Sequence, residues 1–143
     1  MRYLFVDGHS VIFAWPELNR MHAKRGAHAR AALVKLLTSY QDNSGIRVVL
    51  VFDGQGKEVS EETEPGGIQI FYSAKAGTAD EIIERLTAKY GAVHDITVVT
   101  RDRLEQQTVL SFGGHVIGPE GLRGLVADAE AELSRRVRMH RKK

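Results

Sequence analysis

Cysteine is absent from the 143 residues of this chain. The absence excludes disulfides and thiolate metal sites, so any metal must be bound by carboxylate, imidazole or backbone oxygen. Long hydrophobic runs are lacking too, because no apolar stretch approaches the roughly 20 residues of a membrane-spanning helix. The apolar run at the N-terminus is interrupted by Asp7, unlike that of a signal peptide. These absences predict a cytoplasmic protein.

The remaining composition is that of an ordinary globular chain. Its hydrophobic share is 43% and its charged share is 27%, and the length suits one domain spanning residues 1–143. No internal repeat or linker divides it. The net charge is only +2, but basic residues are concentrated in 20–35 and 135–143 and acidic ones in 53–64. This asymmetry favours an anionic partner.

Five short apolar segments have the length and composition of β-strands. They are Tyr3–Val6, Arg47–Phe52, residues 68–73, Ile96–Val99 and His115–Ile117. Segments with helical spacing of apolar residues separate most of them, which predicts an α/β fold with a mostly parallel sheet. The link between the second and third strands is compatible with a hairpin or a crossover.

Two further segments carry expectations about surface and core. Residues 19–28 are polar and basic and predict a loop that leads into a helix; residues 55–67 predict a solvated, mobile loop.

Trp15 precedes a proline and is expected in extended backbone, either closing the edge of the core or stacking on a base. Four basic side chains form either a phosphate-contacting patch or a plain solvated surface. They are Arg20, Lys24, Arg25 and Arg30.

Four aspartates are expected at one edge of the sheet. Asp7, Asp53 and Asp102 each follow a strand, and Asp80 lies in the first turn of a predicted helix. Strand carboxyl ends and the following helix N-termini share one edge, so these carboxylates should converge there. Converging carboxylates repel unless they share a cation, and oxygen ligands indicate Mg²⁺ or Mn²⁺. The alternative is a set of unrelated turn and helix-start aspartates.

The helix that begins near Asp80 carries three other residues of interest. Thr78 can cap it, with Glu81 completing a capping box. Helical geometry places Glu84 beside the buried stripe, on the flank that Asp80 shares, and turns Glu81 towards solvent.

Four motifs occur in order: VDGHSVIFAWP, VVLVFDG, GTADEIIERL and VVTRDRLEQ. Together they resemble the YacP-like branch of the NYN family, within the PIN-like nuclease superfamily, over nearly the whole chain. The resemblance implies a three-layer α/β/α sandwich around a mostly parallel five-stranded sheet, with an acidic metal site that cleaves RNA. It implies metal-binding and catalytic roles for Asp7, Asp80 and Asp102, and a metal-binding or more distant role for Asp53.

The sequence departs from the family pattern at two places. His9-Ser10 replaces the usual Tyr-Asn, and Arg101 replaces the usual serine before the last aspartate. Ser10, Thr78 and Arg101 are expected to support the site. Arg101 can grip a phosphate or compete with the metal by pairing with an acid.

These patterns predict a metal-dependent endoribonuclease that acts on single-stranded or messenger RNA. An RNA-binding module with weak or lost cleavage and a metal-dependent phosphatase remain alternatives, and RNA is not distinguished from DNA. Arg135, Arg136 and Arg138 begin a basic C-terminal tail that ends at Lys142 and Lys143. The tail either contacts the RNA backbone or simply ends a helix, at the sheet edge opposite the acids.

Overall fold

The structure is a computed structural model that describes residues 1–64 and 66–141. Lys142 and Lys143 of the predicted basic tail, and Pro65 of the predicted loop, lie outside the described residues. The strands are β1 (Arg2–Asp7), β2 (Arg47–Phe52), β3 (Ser60–Thr63), β4 (Gln69–Tyr72), β5 (Asp95–Val99) and β6 (His115–Ile117). The helices are α1 (Gly8–Ala14), α2 (Pro16–Lys24), α3 (Gly26–Ser44), α4 (Ala79–Tyr90), α5 (Arg103–Ser111) and α6 (Pro119–Arg141). None of the described helices is both long enough and apolar enough to cross a membrane.

The strands form one six-stranded sheet in the order β3-β4-β2-β1-β5-β6. β1, β2, β4, β5 and β6 are parallel, and only the edge strand β3 is antiparallel to its neighbour. The link from β2 to β4 is therefore a crossover that includes β3. The predicted α/β class and mostly parallel sheet are confirmed, with six strands instead of five.

Alternating side chains of the central strands fill two hydrophobic layers. Leu4 and Val6 of β1 pack on one face under α1, α2, α3 and α6. Phe5 and Val49 pack on the other face with residues of α4 and α5. The architecture is thus the three-layer α/β/α sandwich that the family resemblance implied. Trp15 is buried in the first layer and its indole N–H donates to the Pro119 carbonyl, so it closes the core and is not available to stack on a base.

Two local predictions were wrong. The segment 55–67 contains β3, which the sequence conceals because all four of its side chains are exposed and polar. The segment 19–28 is mostly helical: α2 begins at Pro16, where the fixed φ of proline suits the first helical position, and it buries Leu18. Arg20 and Lys24 therefore lie on a helix, not on a loop.

The carboxyl ends of β1, β2 and β5 meet the N-termini of α1, α4 and α5 at one edge of the sheet. The chain approaches itself closely there. A Cβ at Gly8 would lie 2.3 Å from the Phe52 ring, and one at Gly54 would lie 2.1 Å from the Ser73 carbonyl oxygen. Only glycine fits at these two positions, and this close packing holds the start of α1 against β2 and the segment after β2 against the segment after β4.

Candidate metal centre

Three carboxylates converge at this edge: Asp7 at the end of β1, Asp80 in the first turn of α4 and Glu105 in the first turn of α5. One oxygen of each lies within 4.8 Å of the corresponding oxygens of the other two. Among residues 1–64 and 66–141, no other group of three or more acidic or imidazole side chains lies close enough together to surround one cation.

Asp7 is nearly enclosed, with 8% of its surface exposed. The Ser10 hydroxyl donates a 2.9 Å hydrogen bond to Asp7 Oδ2 and accepts the backbone N–H of Arg101 at 3.3 Å. Burial raises the pKa of Asp7 to about 6, and the Asp80 carboxylate contributes to that rise, against the lowering effect of the Ser10 hydrogen bond. Ser10 therefore ties the end of β1 to the end of β5 and orients the Asp7 carboxylate.

Glu105 is the member of the cluster that the sequence analysis missed. Only 1% of it is exposed, and the Thr100 hydroxyl donates to its Oε2 at 2.7 Å. Its Oε1 is buried without a hydrogen-bond partner in the described part of the chain. Burial raises the pKa of Glu105 to about 9, and the nearby charges of Asp80 and Asp7 act in the same direction. The available signal was its position four residues before the buried Val109, on the inner face of α5.

Asp80 is placed by the cap of α4. The Thr78 hydroxyl accepts the backbone N–H of Glu81 at 3.2 Å, which confirms the predicted Thr78 cap, one of the two bonds of a capping box. Asp80 then sits at the second helical position, next to the cluster, while Glu81 is exposed. Burial raises the pKa of Asp80, and the carboxylates of Asp102 and Asp53 add to the rise.

Three other predicted acids lie around the cluster. Asp53 Oδ1 accepts the backbone N–H of Ala79 at 2.8 Å, so Asp53 fixes the start of α4. Asp102 Oδ1 accepts the N–H groups of Leu104 and Glu105 at 2.9 and 3.4 Å and caps α5. Glu84 is half-buried one turn after Asp80, and burial together with the Asp80 charge raises its pKa. These positions indicate that Asp53 and Asp102 orient the helices that carry the cluster.

The cluster has the donor set of a site for a hard divalent cation. All three ligands are carboxylate oxygens, which Mg²⁺ and Mn²⁺ prefer. One buried oxygen of Glu105 has no hydrogen-bond partner among the described residues, and burying such an atom is costly unless something else binds it. The raised pKa values of Asp7, Asp80 and Glu105 reflect a charge repulsion and desolvation that a bound cation would remove. The residues present therefore fit a divalent metal.

Asp7 and Asp80, together with Asp53 and Asp102, line an open cleft of about 410 Å³, within the size range of ligand sites. Its other walls include His9, Phe13 and Arg101. In the described part of the chain, Arg101 forms no ion pair with these acids, which favours phosphate binding over competition with the metal. His9 Nδ1 lies 3.7 Å from Asp53 Oδ2, and burial lowers the pKa of His9.

The predicted basic residues divide between two places. Arg20, Lys24 and Arg25 are exposed at α2 and its end, and Arg30 is half-buried on α3. Arg135, Arg136 and Arg138 lie near the end of α6, which starts at the metal edge and runs away from it. Arg135 and Arg136 both bind the Glu132 carboxylate, with shortest distances of 2.7 and 3.3 Å.

Comparisons with known proteins give the same family. The family model described as "YacP-like NYN domain" matches residues 4–143. The protein YacP of Bacillus subtilis (strain 168), described as uncharacterized, is 32% identical over 140 residues, covering 96% of this chain and 82% of YacP. A crystal structure of Rae1 (YacP) from Bacillus subtilis superposes with a TM-score of 0.78 at 32% identity, covering 97% of this chain and 81% of Rae1. A crystal structure of a mutant form of Rae1 gives a TM-score of 0.81 at 30% identity, covering 99% and 84%. This chain belongs to the YacP-like NYN domain family.

Proposed function

We propose that this protein is an endoribonuclease that hydrolyses RNA phosphodiester bonds with a divalent cation, Mg²⁺ or Mn²⁺. The observation that carries the proposal is the convergence of Asp7, Asp80 and the buried Glu105, the first two of which line an open cleft. Family membership supports the nuclease-type, RNA-related part of the proposal. The cleft supports a polymeric substrate, because it is open to solvent and Arg101 lines it.

Asp7, Asp80 and Glu105 would hold the cation, with Asp102 next to them. When bound there, a divalent ion stabilises phosphoryl charge and lowers the pKa of water. The side chains of the chain itself have separate tasks. Ser10 orients Asp7, Asp53 fixes the start of α4 beneath Asp80, and Thr100 orients Glu105. Arg101, at the rim of the cleft, would bind a phosphate oxygen.

A cleavage assay tests the proposal. The protein is incubated with end-labelled single-stranded RNA, with single-stranded DNA of the same sequence and with a small phosphomonoester, at increasing Mg²⁺ or Mn²⁺. We expect internal cleavage of RNA that rises with metal concentration and is abolished by EDTA. RNA binding without cleavage at any metal concentration would favour a binding module, and turnover of the phosphomonoester alone would favour a phosphatase.

The tail gives a second prediction. Replacing Arg135, Arg136 and Arg138 together with glutamine should weaken RNA binding and flatten its salt dependence, because each neutralised phosphate contributes to the salt slope. The single-turnover cleavage rate at saturating RNA should not change, since α6 runs away from the cleft. Binding titrations at several salt concentrations, paired with single-turnover kinetics, measure both quantities. If the salt dependence of RNA binding does not change, these arginines only end the helix. If cleavage at saturating RNA is lost, they belong to the active site.

A further inference from the structure

An aromatic side chain stands exposed beside the acids. Phe13, on α1, has 49% of its surface accessible and lines the same cleft as Asp7 and Asp80. Isolated exposed apolar residues are common on proteins, and Phe112 is exposed to a similar degree at the end of α5. Phe13 differs from such residues because it borders the acidic cleft and because other rings hold it in place.

Phe13 is the outermost ring of a packed series. His9 lies four residues earlier on α1, and its ring stacks against Phe13 at 5.9 Å between centroids and 23° between planes. His22 of α2 packs edge-on against Phe13 at 5.0 Å and 84°. Behind them, His9 rests on the buried Phe52 ring at 5.7 Å. Phe13 is therefore held by two helices while half of its surface remains open to the cleft.

Two arginines, Arg30 and Arg101, lie near this series of rings. The Arg30 guanidinium and the His22 ring both lie beside Gly26. A Cβ placed on Gly26 would be 3.2 Å from Arg30 Nη1 and 3.3 Å from His22 Nδ1. Arg30 is also close enough to His9 to lower its pKa. Arg101 lines the same cleft as Phe13. An exposed aromatic ring with cations near it, beside a candidate metal site, suits a strand in which bases alternate with phosphates.

We propose that Phe13, supported by His9 and His22, is a stacking site for one unpaired base of the substrate, next to the bond that is cut. The proposal rests on the proposed nuclease function and adds a substrate class: the nucleotide at this position must be unstacked from its neighbours, so the substrate is single-stranded there. A base inside a duplex already has both faces covered and cannot lie on Phe13. Stacking on a base was one of two roles considered for Trp15 from the sequence, but Trp15 is buried and Phe13 lines the cleft.

The test measures binding of a fluorescently labelled single-stranded RNA by anisotropy, with every variant carrying Asp7→Asn so that the RNA stays intact. Phe13→Ala should weaken binding at least about fivefold, the lower end of what one base–aromatic stack contributes. Phe13→Tyr keeps the ring and should bind like the parent. Val93→Ala removes another exposed apolar side chain, with 77% of its surface accessible, after α4 at the opposite edge, and should also bind like the parent. Thermal melts verify that each variant is folded.

A set of RNAs with one abasic nucleotide at successive positions separates stacking from other effects. At one position the missing base should weaken binding to the Phe13 protein and make no difference to Phe13→Ala. An unchanged affinity of Phe13→Ala, or an equal loss on every abasic RNA and on a duplex, would overturn the proposal. The two proposals fail separately: Phe13-dependent binding without cleavage by the wild-type protein contradicts the nuclease, and cleavage without Phe13-dependent binding contradicts the stacking site.

Discussion

Asp7→Asn is expected to lower RNA cleavage by roughly a thousandfold or more, while the protein stays folded. The substitution removes one of three carboxylates that would share the cation, and the cation accounts for several kcal/mol of transition-state stabilisation. The fold should tolerate asparagine, because its side-chain oxygen can still accept the Ser10 hydroxyl and because one of several mutually repelling charges is removed. Single-turnover kinetics at saturating RNA and Mg²⁺, together with circular dichroism, measure both effects.

Two substitutions control for this result. Asp95→Asn changes the same residue type at the opposite end of β5, where Asp95 contacts only Arg2 and His115 among the described charges, and it should leave cleavage unchanged. Glu84→Gln acts one turn after Asp80 and should cost about 10- to 100-fold, as groups around a metal site do. Full activity of Asp7→Asn would refute the metal site, and a larger loss in Glu84→Gln than in Asp80→Asn would show that Glu84 is the ligand.

Glu105→Gln is expected to remove the stabilisation of the protein by metal and to reduce its loss of stability at alkaline pH. The folded-state pKa of Glu105 is raised from 4.5 to about 9 and that of Asp7 from 3.8 to about 6. A raised carboxyl pKa contributes stability that is fully present below the ordinary pKa and is lost as pH rises to the folded-state value. The metal-free wild-type protein should therefore lose stability between pH 4 and pH 9, with Asp7 alone accounting for about 3 kcal/mol.

Glu105→Gln separates the contribution of Glu105 to stability from that of Asp7. Glutamine resembles the protonated glutamate, so metal-free Glu105→Gln should melt close to wild type near pH 4, increasingly above it as the pH rises, and several degrees above it near pH 9. Mn²⁺ or Mg²⁺ should raise the melting temperature of the wild type at pH 7.5 and leave that of the variant nearly unchanged. Glu58→Gln, at an exposed position before β3, should behave as wild type throughout. Equal metal stabilisation of wild type and Glu105→Gln would exclude Glu105 from the site.

The parts of the fold that follow from apolar patterning could be predicted from the sequence. β1, β2 and β5 are mostly apolar because both faces of the sheet are covered; Asp7 ends β1, and Asp53 and Asp102 come shortly after β2 and β5. The strand β3 could not be predicted, because four exposed polar residues at a sheet edge have no pattern of their own. It exists because the backbone of β4 offers a free edge with which it can pair.

The site could be predicted only where it depends on strand ends. Glu105 was missed because it sits inside a helix, where a glutamate ordinarily faces solvent. Its burial depends on how α5 packs against α4 and β6, which a single sequence does not encode in its periodicity. The motif VVTRDRLEQ contains both Glu105 and Asp102, and Asp102 was the residue predicted to bind metal. In the structure one of the Asp102 oxygens caps α5. A strand-end aspartate and a helix-start cap share one sequence pattern, and only the packing distinguishes them.

Anomalous diffraction from a crystal grown with Mn²⁺ tests the central claim, which is that Asp7, Asp80 and Glu105 hold the cation. The account predicts an anomalous peak within coordination distance, about 2.0–2.4 Å, of one oxygen from each of the three carboxylates. It also predicts that the peak disappears in Asp80→Asn crystals grown in the same way. A peak bound only by Asp53 and Asp102, or a wild-type crystal with no peak in the cleft at saturating Mn²⁺, would contradict the account.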